Sequence, residues 1–221
     1  MLKKSFLSVI ILGFGVLCLN AQNSGDQVRY EKKAKDILAQ ASSKIKSYTS
    51  IKIDFTYEME NKEQKINETM QGSLVSKGEK FNMEIGGQRF ISDGTTLWTY
   101  MKEMNEVQIN LVANSEEDLN PTALISSFET DYRCKWIKNE TYQGKQLDII
   151  DMVPNESKAF FKIRIAVDSQ SKQLVYSTAY DRNGGTYTYR IKKFLSNVAV
   201  NEADFSFDPK KHAGIEIIDL R

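Results

Sequence analysis

The strongest constraint on the fold is a period of two in the hydrophobic pattern, which recurs along most of the chain after Ser50. In residues 51–59 every odd position is apolar and every even position is polar or charged, and residues 81–85 repeat that order. Residues 161–167 alternate in the same way, with Ala166 as the one small apolar exception. Such alternation places the apolar side chains on one face of a strand, the pattern of an antiparallel sheet with one face in water.

The number of these runs predicts the overall architecture. Short turns separate about ten or eleven predicted strands, so the strands follow one another as a meander. A sheet this long curls, and its apolar concave face then needs a cover. The sequence therefore predicts an α+β fold in which a curled antiparallel sheet of about 10–11 strands lies under helices.

Two segments have the pattern of that helical cover. Residues 26–48 carry an apolar stripe at helical spacing. Asn120 and Pro121 suit the N-cap and first turn of a second, short apolar helix, residues 121–128. The predicted lid positions on the two segments are Ile37, Leu38, Ile45, Leu124, Ile125 and Phe128.

The segment from residue 88 to residue 100 predicts a hairpin that ends in a central strand. Asp93-Gly94 is a strong turn signal, because glycine reaches positive φ freely and aspartate tolerates it. Large apolar side chains then fall on both faces of the next strand, Leu97 on one and Trp98 on the other. Across all strands, the positions predicted to line the concave interior are Ile53, Phe55, Tyr57, Phe81, Met83, Phe90, Trp98, Ile163 and Ile165. An ordinary packed core is the competing interpretation of the same pattern.

Residues 1–21 have the pattern of an export signal. Lys3 and Lys4 precede an apolar run that is shorter than the roughly 20 residues of a membrane-spanning helix. We expect this signal peptide to be cleaved before Gln22, leaving one domain over residues 22–221. Lipidation of Cys18 is the alternative fate of this segment.

Composition argues against several classes of function. Loss of the two leader lysines takes the formal net charge from +1 to about −1, so nothing favours binding to nucleic acid. Cys134 then has no cysteine partner, and we interpret it as a small buried side chain. His212 is the only histidine, and we interpret it as a turn residue. The sequence contains no Cys/His metal spacing, phosphate-binding glycine loop or dinucleotide motif, so we predict a non-enzyme without metal or cofactor.

Two acidic stretches invite a comparison with calcium loops. Residues 116–118 and residues 181–184 both lack the ligand spacing of such a loop. We interpret the first as a solvated acidic loop and the second as a hairpin turn.

Three stretches are distinctive in combination. They are Ile91-Ser-Asp-Gly-Thr-Thr-Leu-Trp-Thr-Tyr100, the proline-containing segment 121–128, and Phe205-Ser-Phe-Asp-Pro209 near the end of the chain. With an export signal and a long helix ahead of them, they give a chain that resembles the LolA family of periplasmic outer-membrane lipoprotein carrier proteins. The resemblance covers essentially all of residues 22–221.

The resemblance has implications for fold, location and cargo. It implies an unclosed antiparallel β-barrel with an α-helical lid over a hydrophobic cavity, in agreement with the residue pattern. It implies a soluble periplasmic protein that receives lipoprotein acyl chains from an inner-membrane ABC-type exporter and passes them to an outer-membrane acceptor. Family members carry an Arg-Pro pair whose arginine helps to fasten the lid. Here the corresponding stretch begins with Lys77, which we expect to take that role in part.

Two other functions fit the same scaffold. One is transport of a different amphiphile, such as a glycolipid or a pigment lipid. The other is a lipid-sensing or protein-binding module. In each case we expect the mature protein to be a monomer.

Overall fold

A computed structural model of the chain describes residues 17–114 and 128–221. Within these ranges one twelve-stranded sheet follows a long helix, α1 (Leu17–Lys46), and a second helix, α2, is short (Phe128–Asp131). The strands are β1 (Ile51–Asn61), β2 (Ile66–Lys77), β3 (Lys80–Ile85), β4 (Gln88–Ser92), β5 (Thr96–Met101), β6 (Glu106–Leu111), β7 (Tyr132–Tyr142), β8 (Lys145–Pro154), β9 (Phe160–Asp168), β10 (Leu174–Asp181), β11 (Gly185–Ser196) and β12 (Glu216–Asp219).

The sheet is unclosed, as the family resemblance implies, but it is not the single meander that the strand pattern predicts. Its strand order is β12-β6-β5-β4-β3-β2-β1-β11-β10-β9-β8-β7, so two meanders meet where β1 pairs with β11. All neighbouring pairs are antiparallel except β12 with β6, which is parallel. The outer strands β7 and β12 do not pair with each other, so the described sheet remains open. The predicted fold class is confirmed, with one or two strands more than the prediction.

Helix α1 covers one half of the concave face. Its predicted apolar stripe is confirmed, because Ala34, Leu38 and Ala41 are completely buried and pack on the inner face of β7–β10. The described part of the helix already includes residues 17–25, ahead of the predicted start near residue 26, and it runs through the predicted cleavage position. In the ranges that the structure describes, no helix is long and apolar enough to cross a membrane.

The second predicted helix falls almost entirely in residues 115–127. This segment lies outside the described residues, and so do Leu124, Ile125 and the acidic stretch 116–118. Phe128, the last residue of the prediction, begins α2 and is 2% exposed in the core beneath α1.

The end of the chain crosses the sheet on the face opposite the helix. We define residues 197–221 as the C-terminal strap, which crosses the outer face of β3–β6 before adding β12 to the edge of β6. The segment between Asn201 and Lys211 forms two 3-10 turns because two side chains cap them. Asn201 Oδ1 accepts the Ala203 N–H at 3.0 Å, and Asp208 accepts the Lys210 N–H at 3.1 Å.

Aspartate side chains organise two hairpin turns. Gly94 has a φ of 95° as predicted, but Asp93 is not left-handed. Its Oδ1 instead accepts the backbone N–H groups of Thr95 at 2.9 Å and Thr96 at 2.8 Å. Asp181 accepts the Gly185 N–H in the same manner at 2.7 Å. This arrangement fits the predicted turn and occupies a carboxylate oxygen that a calcium loop would use.

Candidate functional site: an apolar groove on the concave face

The concave face consists of two unlike halves. Beneath α1, the inner side chains of β7–β10 form a closed core with the helix. Ile163 and Ile165 lie there and are 7% and 0% exposed. These two predicted lining positions therefore belong to packed core rather than to a cavity in this structure.

The other half is built on β1–β5 and β11, and of the two described α-helices only the end of α1 reaches it. Ile45 and Tyr48 contact its apolar cluster from that end. The register carries apolar side chains across the strands in rows: Ile53 faces Leu74, and Leu74 faces Met83. The buried members of this cluster are Ile51, Ile53, Phe55, Leu74, Phe81, Met83 and Leu97.

The larger cavity of this half lies at the end of α1 and has a volume of about 840 Å³. The start of β1, the β2–β3 and β4–β5 turns and a 3-10 helix (Val112–Asn114) enclose it with the helix. Its volume is within the range of about 300–1,000 Å³ that is usual for small-molecule pockets. The apolar lining residues are Ile45, Tyr48, Ile51, Phe81, Leu111, Val112 and Ala113.

Polar groups also line this cavity. They include Lys46 and Glu79, together with the hydroxyls of Ser50, Ser76 and Thr95. The Ser50 hydroxyl already donates to the Val198 carbonyl oxygen at 2.6 Å. An apolar chain with a polar end fits this mixture better than a fully apolar molecule does.

A smaller cavity of about 240 Å³ lies at the other end of β1. Tyr57 and Tyr189 form one wall, with ring centroids 4.6 Å apart. Met70 and Met83 supply flexible side chains that adapt to irregular apolar shapes. The two cavities thus lie at opposite ends of the inner face of β1, with the buried side chains of Ile53 and Phe55 between them.

Most of the predicted lining positions in this half converge. Phe81 lines the larger cavity, whereas Tyr57, Met83 and Phe90 line the smaller one. Ile53 and Phe55 form the floor between the two cavities, where they are 0% and 2% exposed.

Trp98 is the exception, because it lies on the opposite face of the sheet. The register pairs Ser92 with Leu97, which turns Leu97 toward the concave cluster. Trp98 instead packs with Ile91 and Val107 beneath Phe207 of the C-terminal strap. Its placement in the interior was wrong, because the strap covers that second face of β5 and makes both faces of the strand apolar.

The predicted lid residues divide between the two halves. Ile37 and Leu38 are buried in the core beneath α1. Ile45 contacts the apolar clusters of both halves and lines the larger cavity. Ile45 is therefore the lid position closest to a ligand.

Lys77 does not contact α1 in the structure. Its ammonium pairs with Glu202 of the C-terminal strap, and Lys80 joins the same carboxylate at 2.8 Å. Lys77 projects from the face opposite the helix, because the preceding residue Ser76 lies on the concave side and lines the larger cavity. Lys80 pairs with Lys77 across β2 and β3 and projects to the same face. The expectation that Lys77 helps to fasten the helical lid was therefore wrong, because Lys77 holds the C-terminal strap instead.

Helix α1 is held by contacts that the sequence pattern did not reveal. Lys33 Nζ lies 3.4 Å from the centroid of the Trp136 ring, within cation–π range. The Trp136 indole N–H donates to Asp148 at 3.0 Å, and that carboxylate also accepts from Asn139 at 2.8 Å. Nearer the end of the helix, Lys44 donates to the Ser171 carbonyl oxygen at 2.6 Å. No local sequence signal predicts these contacts, because Trp136, Asp148 and Ser171 lie more than a hundred residues after the lysines that they hold.

Reactive groups are arranged for structure rather than for chemistry. His212 stacks on Phe207 with ring centroids 4.7 Å apart and contacts Tyr100 on the outer face. Cys134 is buried beneath α1, and desolvation raises its pKa to about 11, which keeps the thiol protonated. Within the described ranges, no three His, Cys, Asp or Glu side chains cluster as metal ligands would. The groove is suited to binding an apolar chain.

Comparison with known families identifies one match. The family described as "Outer membrane lipoprotein carrier protein LolA" matches residues 46–208, most of the chain. The match takes in every lining residue of both cavities except Ile45, but not most of α1 or strand β12. No curated protein sequence matches the chain.

Solved structures provide a more distant comparison. An uncharacterized conserved protein from Thermus thermophilus superposes with a TM-score of 0.59 at 10% identity, covering 85% of this chain and 99% of that one. A putative outer membrane lipoprotein-sorting protein domain from Vibrio parahaemolyticus has a TM-score of 0.48 at 12% identity, covering 80% and 97%. At such identities, the likeness to the Thermus protein shows a shared fold only.

Proposed function

We propose a carrier function for this chain, which belongs to the LolA family of outer membrane lipoprotein carrier proteins. Membership and fold support a non-enzymatic role in binding lipid or lipoprotein. In finer terms, the chain takes lipoprotein acyl chains from an inner-membrane ABC-type exporter and delivers them toward the outer membrane through the periplasm. The observation that carries this proposal is the apolar face of β1–β5, which the described part of the chain covers only in part, with its cavity of about 840 Å³ at the end of α1.

Such a function needs apolar contact area and reversible cover. Burial contributes about 0.8 kcal/mol per methylene, so a chain of about 16 carbons gains roughly 12 kcal/mol at most. The costs of opening the site and ordering the chain reduce this gain. The remaining affinity is compatible with release to an acceptor, which a carrier requires.

Binding of a fluorescent fatty acid tests the proposed site through Ile45. The variant Ile45→Glu places a charge at the cavity wall, and we expect it to weaken binding at least about tenfold because the charge must be desolvated. The control is Ile215→Glu, which changes another half-buried isoleucine on the outer face. Far-UV circular dichroism checks that both variants fold. Equal affinities for the two variants would contradict this assignment of the site.

Identification of the bound lipid tests the cargo itself. Organic extraction of the purified protein, followed by mass spectrometry, distinguishes lipoprotein acyl chains from a glycolipid or a pigment lipid. Recovery of only the latter would retain a carrier function but replace the cargo.

Export is part of the same proposal. We infer that residues 1–21 are removed, so that a mature chain of residues 22–221 acts in the periplasm. N-terminal sequencing of the cellular protein should then begin at Gln22. A first residue of Met1, or lipid attached to Cys18, would overturn this location.

A further inference from the structure

The inner face of β1 connects the two cavities. Ile51 lines the larger cavity and Tyr57 lines the smaller one. These positions are six residues apart, about 20 Å along a strand. Between them, Ile53 and Phe55 point to the same side and are almost completely buried. A chain longer than the larger cavity must therefore pass Phe55 to reach the smaller one.

Phe55 occupies this position because its neighbour on β2 has no side chain. Phe55 pairs directly with Gly72. A Cβ atom on Gly72 would lie 2.5 Å from Cζ and 2.6 Å from Cε2 of the Phe55 ring, distances that side chains do not tolerate. The ring thus rests on the backbone of β2. A side chain at residue 72 would displace the ring from β2, and its Cβ would also lie 2.9 Å from the backbone oxygen of Glu84 on β3.

On the side of β11, the ring packs against a residue that lines the smaller cavity. Phe55 meets Tyr189 edge to face, with a centroid distance of 5.4 Å, and Tyr189 itself lines that cavity. The ring thereby spans from β2 across β1 to β11. Aromatic pairs of this geometry add to the free energy that holds a ring in place.

We propose that Phe55, seated on Gly72, separates the two cavities and sets the length of acyl chain that the groove accepts. This inference rests on the proposed carrier function and adds a specificity-determining residue to it. A chain of moderate length fills the larger cavity and stops at the ring. The pair Phe55–Gly72 fixes the position of that stop.

A series of saturated fatty acids from about 8 to about 18 carbons tests the stop, since each buried methylene strengthens binding about fourfold. For the unmodified protein we expect the dissociation constant to fall with each added methylene and then level off at one chain length. In Phe55→Leu and Phe55→Ala, the chain length at which the dissociation constant levels off should be longer, because a smaller side chain no longer separates the cavities. In Gly72→Ala that length should be shorter, because the displaced ring takes up space in the groove.

The opposite directions distinguish a length-setting role from general damage. Combining Gly72→Ala with Phe55→Leu should restore a longer limit, since the smaller side chain relieves the clash. The matched control is Phe207→Ala, which truncates a phenylalanine of similar burial, 9% exposed, on the outer face and should leave the limiting length unchanged. If circular dichroism shows that Gly72→Ala does not fold, the limiting chain length of Phe55→Leu alone decides whether Phe55 sets that length.

Two results would count against the inference, and they differ from each other. Binding that levels off at the same length in the unmodified protein, Phe55→Leu and Phe55→Ala overturns the role of Phe55 while the carrier function stands. Failure of every fatty acid to bind the unmodified protein overturns the carrier function, and this inference with it.

Discussion

At the scale of single residues, the placement of α1 depends on a buried carboxylate. Asp148 is 5% exposed and accepts hydrogen bonds from Trp136, Asn139 and Ser169, the last at 2.8 Å. These bonds fix the Trp136 ring under the ammonium of Lys33. Such a network stabilises the fold only while each of its members has a partner.

Asp148→Ala should lower the free energy of unfolding by about 2–4 kcal/mol, because it leaves buried donors without an acceptor. Urea denaturation measures this change. The control is Asp36→Ala, which removes an exposed carboxylate paired with Lys32 and should cost less than about 0.5 kcal/mol. Similar losses in the two variants would show that the Asp148 network contributes little.

Single residues also show where sequence analysis succeeds and where it ends. The face of Phe55 was predictable, because polar side chains alternate with apolar ones along β1. The side of the sheet on which Trp98 lies was not predictable, because β5 is covered on both faces and carries large apolar side chains on both. The partner of Lys77 was equally hidden, since Glu202 lies far away in the chain and reaches it only through the strap.

At the scale of elements, the C-terminal strap is a second cover, on the face opposite α1. Phe207 is 9% exposed over Ile91 and Val107, and β12 extends the sheet at β6. Near its start, Lys77 and Lys80 lower the pKa of Glu202 to about 2, because both ammonium groups bond its carboxylate. Beside its apolar and backbone contacts, the strap therefore has an exposed ionic contact that salt and acid weaken.

The strap should loosen in acid between pH 4.5 and about 2. A carboxylate whose pKa is lowered in the folded state stabilises that state above its ordinary pKa of 4.5, and this contribution is lost as pH falls through about 2. Fluorescence of Trp98, which packs beneath the strap, measures the change when Trp136 is replaced by Phe. Glu202→Gln should lose most of the pH dependence in this range. If Trp98 fluorescence has the same pH profile in Glu202→Gln as in the protein that retains Glu202, the ionic contact does not anchor the strap.

Most elements were predictable from local patterns, whereas the pairing of the last strand was not. Strands β1, β3 and β9 carry their alternation within six to eleven residues, so their type was clear from sequence. Strand β12 has four residues and forms parallel to β6 only after the strap has crossed the sheet. A pairing of that kind depends on distant contacts, which periodicity does not report.

At the scale of the whole molecule, one sheet performs two tasks. Its β7–β10 half is a core that holds α1, and its β1–β5 half is an apolar face that, among the described residues, only the end of α1 begins to cover. The need for a covered concave face followed from the sequence. The division into core and groove did not, because the larger cavity is assembled from a helix end, three turns and strand ends that lie far apart in the chain.

Transfer of a lipoprotein tests the central claim most directly. Residues 22–221 are mixed with ATP-supplied inner-membrane vesicles that contain a lipoprotein with radiolabelled palmitate, and the vesicles are then sedimented. We predict that the labelled lipoprotein, with its acyl chains intact, moves into the supernatant and elutes from a size-exclusion column together with the chain, and that Ile45→Glu releases far less. If the label stays with the vesicles, or if both proteins release it equally, the groove is not the carrier site.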